Sequence, residues 1–118
     1  MKLILIVDDD QLILDLLNDI LSDKYKLLFS DNAINAIKKS KNQKIDLLIT
    51  DIQMPAMSGR ELVEKIRKFR PEIKILFISG HITDKIIDQS DVDVNVDYIE
   101  KPFDKKSLLE KIENLINE

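Results

Sequence analysis

Asp51 is the residue of this chain whose type and position are best suited to chemistry. It ends a run of apolar and β-branched residues, Leu47–Asp51, which is typical of a strand buried on both faces. Ligands of open α/β folds bind at the carboxyl ends of such strands, so a carboxylate placed there can meet one. An aspartate shortly before a proline is also a common turn residue, and the other polar residues at strand ends decide between the two interpretations.

Two more carboxylates follow an apolar run near the N-terminus. Asp8 and Asp9 come directly after the run Leu3–Val7. If they share a crevice with Asp51, the three carboxylates repel one another, so the site must raise a pKa or hold a cation. The sequence has no cysteine and one histidine, His81, so hard oxygen ligands favour Mg²⁺ over zinc.

Ser79 and Lys101 extend this pattern to phosphoryl chemistry. A carboxylate beside Mg²⁺ can attack a phosphoryl group and form an aspartyl phosphate while the metal neutralises the developing charge. Ser79 ends a further apolar run, and Lys101 follows a segment of alternating apolar and polar residues that predicts another strand. Both are placed to hold phosphoryl oxygens, the lysine as a point charge. Taken alone, Ser79 before Gly80 also fits a turn, and Lys101 before Pro102 also fits a solvated lysine.

Composition limits the classes of protein that need to be considered. A chain of 118 residues is expected to form one domain, 1–118, and its net charge of −4 argues against binding nucleic acid or anionic lipid. The absence of cysteine fits a reducing compartment. The apolar run at residues 3–7 is too short for a signal sequence or a membrane span, so we expect a cytoplasmic protein with no membrane partner.

Strand-like and helix-like segments alternate along the chain and predict five βα units. Strands are predicted at residues 3–7, 25–29, 47–51, 73–79 and 94–100. Helices are predicted after the N-cap residues Asp10, Asp31 or Asn32, Ser58 and Asp104, with a short helix at residues 83–89. The apolar positions expected to pack these helices on the sheet are Leu12, Ile13, Leu16, Leu17, Ile20, Leu21, Ala33, Ile34, Ala36, Ile37, Leu62, Val63, Ile66, Phe69, Leu108, Leu109, Ile112, Leu115 and Ile116.

Five such units predict an α/β fold with a parallel sheet and helices on both faces, joined by right-handed crossovers. The first, third and fourth strands are the most apolar, whereas the second and fifth carry polar residues, as edge strands do. This pattern fits the flavodoxin-like strand order 2-1-3-4-5, in which ligands bind at the switch point between the first and third strands. Asp8, Asp9 and Asp51 should therefore converge there.

Four motifs give the chain a family resemblance. They are VDDD at 7–10, DIQMPAMSG at 51–59, FISG at 77–80 and YIEKPF at 98–103. With them the sequence resembles, over essentially its whole length, the receiver domain of two-component response regulators. The resemblance implies a regulatory phosphoacceptor domain that is not an enzyme beyond assisting its own phosphorylation and dephosphorylation. A sensor histidine kinase or a histidine phosphotransfer domain would donate the phosphoryl group, and a downstream protein or covalently linked effector would respond.

The resemblance also assigns roles to residues. Asp51 would be the phosphoacceptor, Asp8 and Asp9 the acidic pair that completes the Mg²⁺ site with Asp51 and the Gln53 backbone carbonyl, and Lys101 the phosphate contact. Ser79 would be the switch hydroxyl and Tyr98 the aromatic that changes rotamer. Apart from the resemblance, Gln53 and His81 each lie two residues beyond a site residue, and we expect them to flank the path of the attacking water and tune phosphoryl lifetime. An aromatic packed on an edge strand is the structural alternative for Tyr98, and an exposed loop residue the alternative for His81. The Lys101–Pro102 peptide bond is expected to be cis.

Departures from the family pattern concern the region before the last strand. Val94 and Asn95 stand where a small Gly-Ala pair is usual, so the preceding helix and its exit turn are expected to be shorter or displaced. Residues 84–100 carry six acidic side chains and one lysine, an acidic segment that a basic partner could recognise or that is simply a solvated loop.

Two other classes fit part of the sequence. Asp8 and Asp10 have the Asp-x-Asp spacing of haloacid-dehalogenase-like phosphatases, although Leu12 stands where that family prefers Thr or Val and the chain is short for that fold. A pseudo-receiver that binds proteins without phosphorylation is the other alternative. Its expected sign, loss of an acidic residue or of the lysine, is missing here.

Overall fold

The computed structural model describes residues 1–80 and 95–117, and its centre is a five-stranded parallel sheet. The strand order is β2-β1-β3-β4-β5, which confirms the predicted order. The strands are β1 Leu3–Val7, β2 Lys26–Ser30, β3 Leu47–Asp51, β4 Lys74–Ser79 and β5 Val96–Glu100. The predicted helix at 83–89, together with His81 and Val94, lies outside the described residues.

Each described helix begins at a side chain that accepts a hydrogen bond from its first turn. The helices are α1 Gln11–Leu21, α2 Ala33–Asn42, α3 Gly59–Arg67 and α4 Lys105–Ile116. Their N-caps are Asp10, Asn32, Ser58 and Asp104, so the predicted helix starts are confirmed and Asn32, not Asp31, caps α2. Among the parts of the chain described, no helix is both long and apolar enough to cross a membrane.

The sheet separates two hydrophobic cores. One core joins α2 and α3 to the sheet face that carries Leu5, Leu48 and Phe77. The other joins α1 and α4 to the opposite face, which carries Ile6, Ile49 and Ile78. Helices therefore cover both faces, as predicted. β1 is buried throughout, whereas β2 and β5 are partly exposed, which is the burial expected of central and edge strands.

Four apolar residues that the helical pattern assigned to the buried faces are exposed instead. Leu12 and Ile34 are 76% and 62% exposed, and Leu16 and Phe69 are also exposed. For Leu12, Leu16 and Ile34 the reason is that α1 buries a narrow stripe, Leu14, Leu17 and Leu21, and α2 buries a stripe of small residues, Ala33, Ala36 and Ser40. A helix that rests on a sheet through so narrow a stripe leaves neighbouring apolar positions in solvent. Phe69 is exposed because it lies beyond the end of α3 at Arg67.

The strand ends also differ from the predicted ones. β2 lies one residue later than predicted because the Ser30 carbonyl accepts a hydrogen bond from the Asp8 N–H at 3.1 Å. β4 begins at Lys74, one residue later than predicted, and ends at Ser79 as predicted. β5 begins at Val96, two residues later than expected. These shifts leave the residues at the carboxyl edge of the sheet where the sequence predicted them.

Arg70 holds the C-terminal end of α2 against the turn that leads to β4. Its Nε donates to the Ser40 carbonyl at 2.7 Å, and its Nη2 donates to the Gln43 carbonyl. Carbonyls at a helix end have no partner within the helix, so they depend on such donors.

We expect Arg70→Met to lower the free energy of unfolding by about 1–3 kcal/mol, because it leaves the partly buried Ser40 carbonyl without its donor, whereas water can replace the donor at the exposed Gln43 carbonyl. Urea denaturation would measure the change, and Arg70→Lys should recover part of it. Lys68 is an exposed cation two residues away, and Lys68→Met should alter stability by no more than about 0.5 kcal/mol. Equal stabilities of Arg70→Met and Lys68→Met would contradict the assignment.

Candidate functional site

Three carboxylates meet at the carboxyl edge of the sheet. Asp8 follows β1 and Asp51 ends the adjacent strand β3. One carboxylate oxygen each of Asp8, Asp9 and Asp51 lies within 4.8 Å of the others. The cluster arises because neighbouring parallel strands end at the same edge, so residues 43 positions apart in sequence become neighbours. The structure thus brings together the three residues that the sequence predicted to converge.

Lys101 bridges two of these carboxylates. Its Nζ lies 3.2 Å from Asp8 Oδ2 and 3.2 Å from Asp51 Oδ2. The residue directly follows β5, and its N–H donates to the Ser79 carbonyl at 2.7 Å, which ties it to the end of β4. The Lys101–Pro102 peptide bond is cis, as predicted. The lysine therefore holds one positive charge between Asp8 and Asp51.

The second oxygen of each bridged carboxylate is held by the main chain. Asp8 Oδ1 accepts a hydrogen bond from the Asp10 N–H at 2.9 Å, and Asp51 Oδ1 accepts one from the Gln53 N–H at 3.0 Å. Both side chains are therefore fixed in orientation. They differ in access, since the Asp51 side chain is 13% exposed and that of Asp8 only 1%. Of the two, Asp51 is the carboxylate that an incoming group can reach.

Burial and charge shift the protonation equilibria of this cluster. Burial raises the pKa of Asp8 above its ordinary value, and the Asp10 N–H and Lys101 offset this only in part. Burial alone would lower the pKa of Lys101, but Asp8 and Asp51 together outweigh it, so the pKa of Lys101 is raised and the side chain stays protonated. A carboxyl group whose pKa is higher in the folded than in the unfolded protein holds its proton more tightly when folded. Its contribution to stability therefore falls as the pH rises above 3.8, the ordinary pKa of an aspartate. Ionisation of Asp8 in the folded protein therefore reduces stability, a pattern that occurs at functional sites.

The loop after β3 is packed tightly against Asp51. The Gly59 N–H donates to the Ile52 carbonyl at 2.8 Å, and a Cβ added to Gly59 would lie 2.2 Å from the Asp51 carbonyl oxygen. Ala56 adopts a left-handed conformation with φ 68°. Only glycine fits position 59, a role that the sequence analysis did not assign. The signal available in the sequence was that Gly59, one of only two glycines, follows the predicted strand by a few residues.

The other predicted site residues occupy different positions around this edge. Ser79 ends β4 and is buried, one residue beyond Ile78, which pairs with Asp51. Gln53 is exposed and contacts Asp51 through its N–H. His81 lies outside the described residues. Ser79 and Gln53 therefore lie at the same sheet edge as the carboxylates.

Tyr98 lies on β5 within a small aromatic cluster. Its ring stacks on that of Phe77, with centroids 5.3 Å apart and an interplanar angle of 23°. Arg60 Nη2 donates to the Tyr98 hydroxyl at 3.3 Å. The contact of Arg60 with Tyr98 was not predicted, because the two residues are 38 positions apart in sequence and no local pattern links them.

Comparison with known proteins identifies the class that this fold and site define. The family model of the response regulator receiver domain matches residues 4–113. The chain belongs to this family, the receiver domains of two-component response regulators, whose members have regulatory roles. This membership argues against the haloacid-dehalogenase-like alternative.

Individual relatives agree with the family. The chain is 32% identical over 117 residues to the response regulator receiver protein CpdR of Brucella abortus, covering 98% of each protein. It is 30% identical to the DNA-binding transcriptional regulator NtrC of Azospirillum brasilense, but spans only 24% of that protein. The crystal structure of a CheY-like receiver domain protein from Methanospirillum hungatei superposes with a TM-score of 0.88 at 35% identity, over 99% of this chain and 94% of that one. Relatives thus include proteins of similar length and much longer ones.

Proposed function

We propose that residues 1–118 form a single receiver domain that accepts a phosphoryl group on Asp51. The proposal depends on one observation about the cluster of three carboxylates. Lys101 bridges two of them, Asp8 and Asp51, and only the Asp51 side chain of this pair is accessible to solvent. A sensor histidine kinase or a histidine phosphotransfer domain would be the donor. A downstream protein or a covalently linked effector would respond, in the cytoplasm, without direct contact of this domain with nucleic acid or membrane.

The donor set of the acidic cluster fits Mg²⁺. Asp8, Asp9 and Asp51 offer hard carboxylate oxygens close enough to share one ion, without a sulfur or nitrogen ligand among them. The Gln53 backbone carbonyl would add a further oxygen ligand. When bound, Mg²⁺ would neutralise charge on the phosphoryl oxygens during transfer.

Asp51 and Lys101 have different roles in the proposed phosphoryl transfer. An Asp51 carboxylate oxygen attacks phosphorus, the P–N bond of the donor phosphohistidine breaks, and the leaving imidazole takes up a proton from solvent. Lys101, already 3.2 Å from Asp51 Oδ2, moves its charge to a phosphoryl oxygen as that carboxylate becomes an acyl phosphate. The hydrogen bond from the Gln53 N–H to Oδ1 keeps the attacking carboxylate oriented.

Ser79 and Tyr98 would convert phosphorylation into a change of surface. The added group carries about −1.5 to −2 charges and three acceptor oxygens, and the Ser79 hydroxyl can donate to one of them. To make this hydrogen bond, Ser79 would move toward the phosphoryl group and vacate the space behind it. The Tyr98 ring could then turn into that space, which would change the surface near β5 and α4. Gln53 and His81, each two residues beyond a site residue, are proposed to tune how long the acyl phosphate survives.

The proposed function can be tested with a small phosphodonor. Incubation with Mg²⁺ and acetyl phosphate should add the mass of one phosphoryl group to the intact protein, and a chelator should prevent the addition. A chain that gains no mass at saturating donor and Mg²⁺ would instead be a pseudo-receiver, a protein-binding module without phosphorylation.

We expect Asp9→Asn to weaken Mg²⁺ binding by about tenfold or more, because one charge close to a divalent cation contributes more than ~1.4 kcal/mol. Calorimetric titration of the unphosphorylated protein would measure the affinity. Asp10→Asn is the matched control, since Asn also serves as an N-cap for α1 and Asp10 is not a proposed ligand. Equal affinities of the two variants would contradict the role of Asp9.

A further inference from the structure

Arg60, in the first turn of α3, contacts both rings of the aromatic cluster. Its Cζ lies 5.6 Å from the centroid of Phe77 and 5.9 Å from that of Tyr98. The same guanidinium donates to the Tyr98 hydroxyl at 3.3 Å. A cation over an aromatic face and a hydrogen bond to its hydroxyl both favour one orientation of the ring. Arg60 therefore stabilises the conformer in which Tyr98 is stacked on Phe77.

The backbone that carries Arg60 is joined to Asp51. Gly59, its neighbour, donates its N–H to the Ile52 carbonyl at 2.8 Å and packs so closely on the Asp51 carbonyl that no Cβ fits between them. A shift of the main chain at Asp51 must therefore displace the start of α3. Because Arg60 is the next residue, the displacement reaches its side chain and the Tyr98 ring.

We propose that Arg60 is a positioning residue that couples the Asp51 end of β3 to the conformation of Tyr98. This inference rests on the proposed function, in which phosphorylation of Asp51 changes Tyr98. It adds a second connection between the two residues, through Gly59 and α3, beside the one through Ser79. Removing the guanidinium should lower the ratio of stacked to unstacked Tyr98 by about tenfold, the combined effect of one cation–π contact and one hydrogen bond.

Fluorine NMR of protein labelled with 3-fluorotyrosine can follow this ratio directly. The chain has two tyrosines, and Tyr98→Phe assigns their signals. Tyr25 packs against the core on the other face of the sheet and serves as an internal control. We expect Arg60→Gln to shift the Tyr98 signal away from its wild-type position and leave that of Tyr25 in place. Arg60→Lys keeps a cation that can donate to the hydroxyl and should restore most of the wild-type signal.

The coupling itself is tested by adding beryllofluoride as a phosphoryl mimic. The change that it causes in the Tyr98 signal should fall to half or less in Arg60→Gln, whereas the phosphoryl adduct formed with acetyl phosphate should be the same as in wild type. A merely structural contact would lower thermal stability without altering the response to beryllofluoride.

The outcomes separate this inference from the proposed function. Equal beryllofluoride responses in wild type and Arg60→Gln would overturn the coupling alone. A wild-type Tyr98 signal that ignores beryllofluoride, in protein that still forms the adduct, would overturn the Tyr98 switch and this inference with it, but not phosphorylation of Asp51. If Arg60→Gln does not fold, Arg60→Met takes its place, because methionine keeps the aliphatic stem and lacks the cation. An unchanged beryllofluoride response of Tyr98 in that variant would overturn the coupling.

Discussion

Asp51→Asn should leave the protein folded and abolish its phosphoryl adduct. The amide has nearly the shape of the carboxylate, and its oxygen can still accept the hydrogen bond from the Gln53 N–H. It lacks the anionic oxygen that attacks phosphorus, so transfer should fall below detection, a loss of at least about 10²-fold on the scale of a lost nucleophile. Intact mass spectrometry after incubation with Mg²⁺ and acetyl phosphate measures the result.

Asp8→Asn is the matched control for that experiment. Asp8 is bridged by the same lysine at the same 3.2 Å, but its side chain is buried. Its loss should slow phosphorylation by weakening the Mg²⁺ site, and a higher Mg²⁺ concentration should recover the adduct. The reverse result, an adduct that persists in Asp51→Asn and vanishes in Asp8→Asn, would place the nucleophile on Asp8 and contradict the proposal.

Gly59→Ala should lower the free energy of unfolding by about 3 kcal/mol or more, at the upper end of the cost of overpacking. The added methyl group would lie 2.2 Å from the Asp51 carbonyl oxygen, a backbone atom that no side-chain rotation can move aside. Alanine is a better helix former than glycine, but that gain of about 1 kcal/mol is too small to compensate. Urea denaturation would measure the loss.

The second glycine provides the control. No heavy atom of the described residues lies within 4 Å of a Cβ added to Gly80. Gly80→Ala should therefore change stability by no more than about 1 kcal/mol, the ordinary effect of this substitution on backbone entropy. If Gly59→Ala and Gly80→Ala unfold at the same urea concentration, α3 does not press against Asp51 as described.

The strand order was predictable because the burial of a strand determines how apolar its sequence is. β1 and β3 are buried nearly throughout and consist almost wholly of apolar residues, whereas β2 and β5 include Lys26 and Asp97 at exposed or half-exposed positions. Strand ends are less predictable, because they depend on pairing with the neighbouring strand. Ser30 belongs to β2 through its bond to the Asp8 N–H, which nothing in the local sequence reveals.

Helix faces were only partly predictable. The apolar spacing in α1 includes Leu12 and Leu16, yet only Leu14, Leu17 and Leu21 are buried. Periodicity shows which positions lie on an apolar side of a helix, but the width of the buried stripe depends on how the helix sits on the sheet. Ile34 is exposed for the same reason, since α2 approaches the sheet through alanines.

The site was predictable as far as it consists of strand ends. Asp8 and Asp51 converge because parallel neighbours end at one edge, and Lys101 reaches them from the end of β5. The contact between Arg60 and Tyr98 joins a helix start to a strand interior, and its geometry depends on the packing of two side chains distant in sequence. Such contacts leave no periodicity or motif that a single sequence could show.

The division of the interior into two cores has a consequence for how this domain can evolve. Phe77 and Tyr98 belong to the core beneath α2 and α3, whereas α1 and α4 rest on the opposite core. The backbone of the sheet lies between the two, so substitutions in one core have few shared partners with those in the other, and their effects should be nearly additive. Mutations that remodel the surface of α1 or α4 can therefore accumulate while the aromatic cluster is retained. Under the proposed function, recognition of a partner would then diverge without loss of the Tyr98 response.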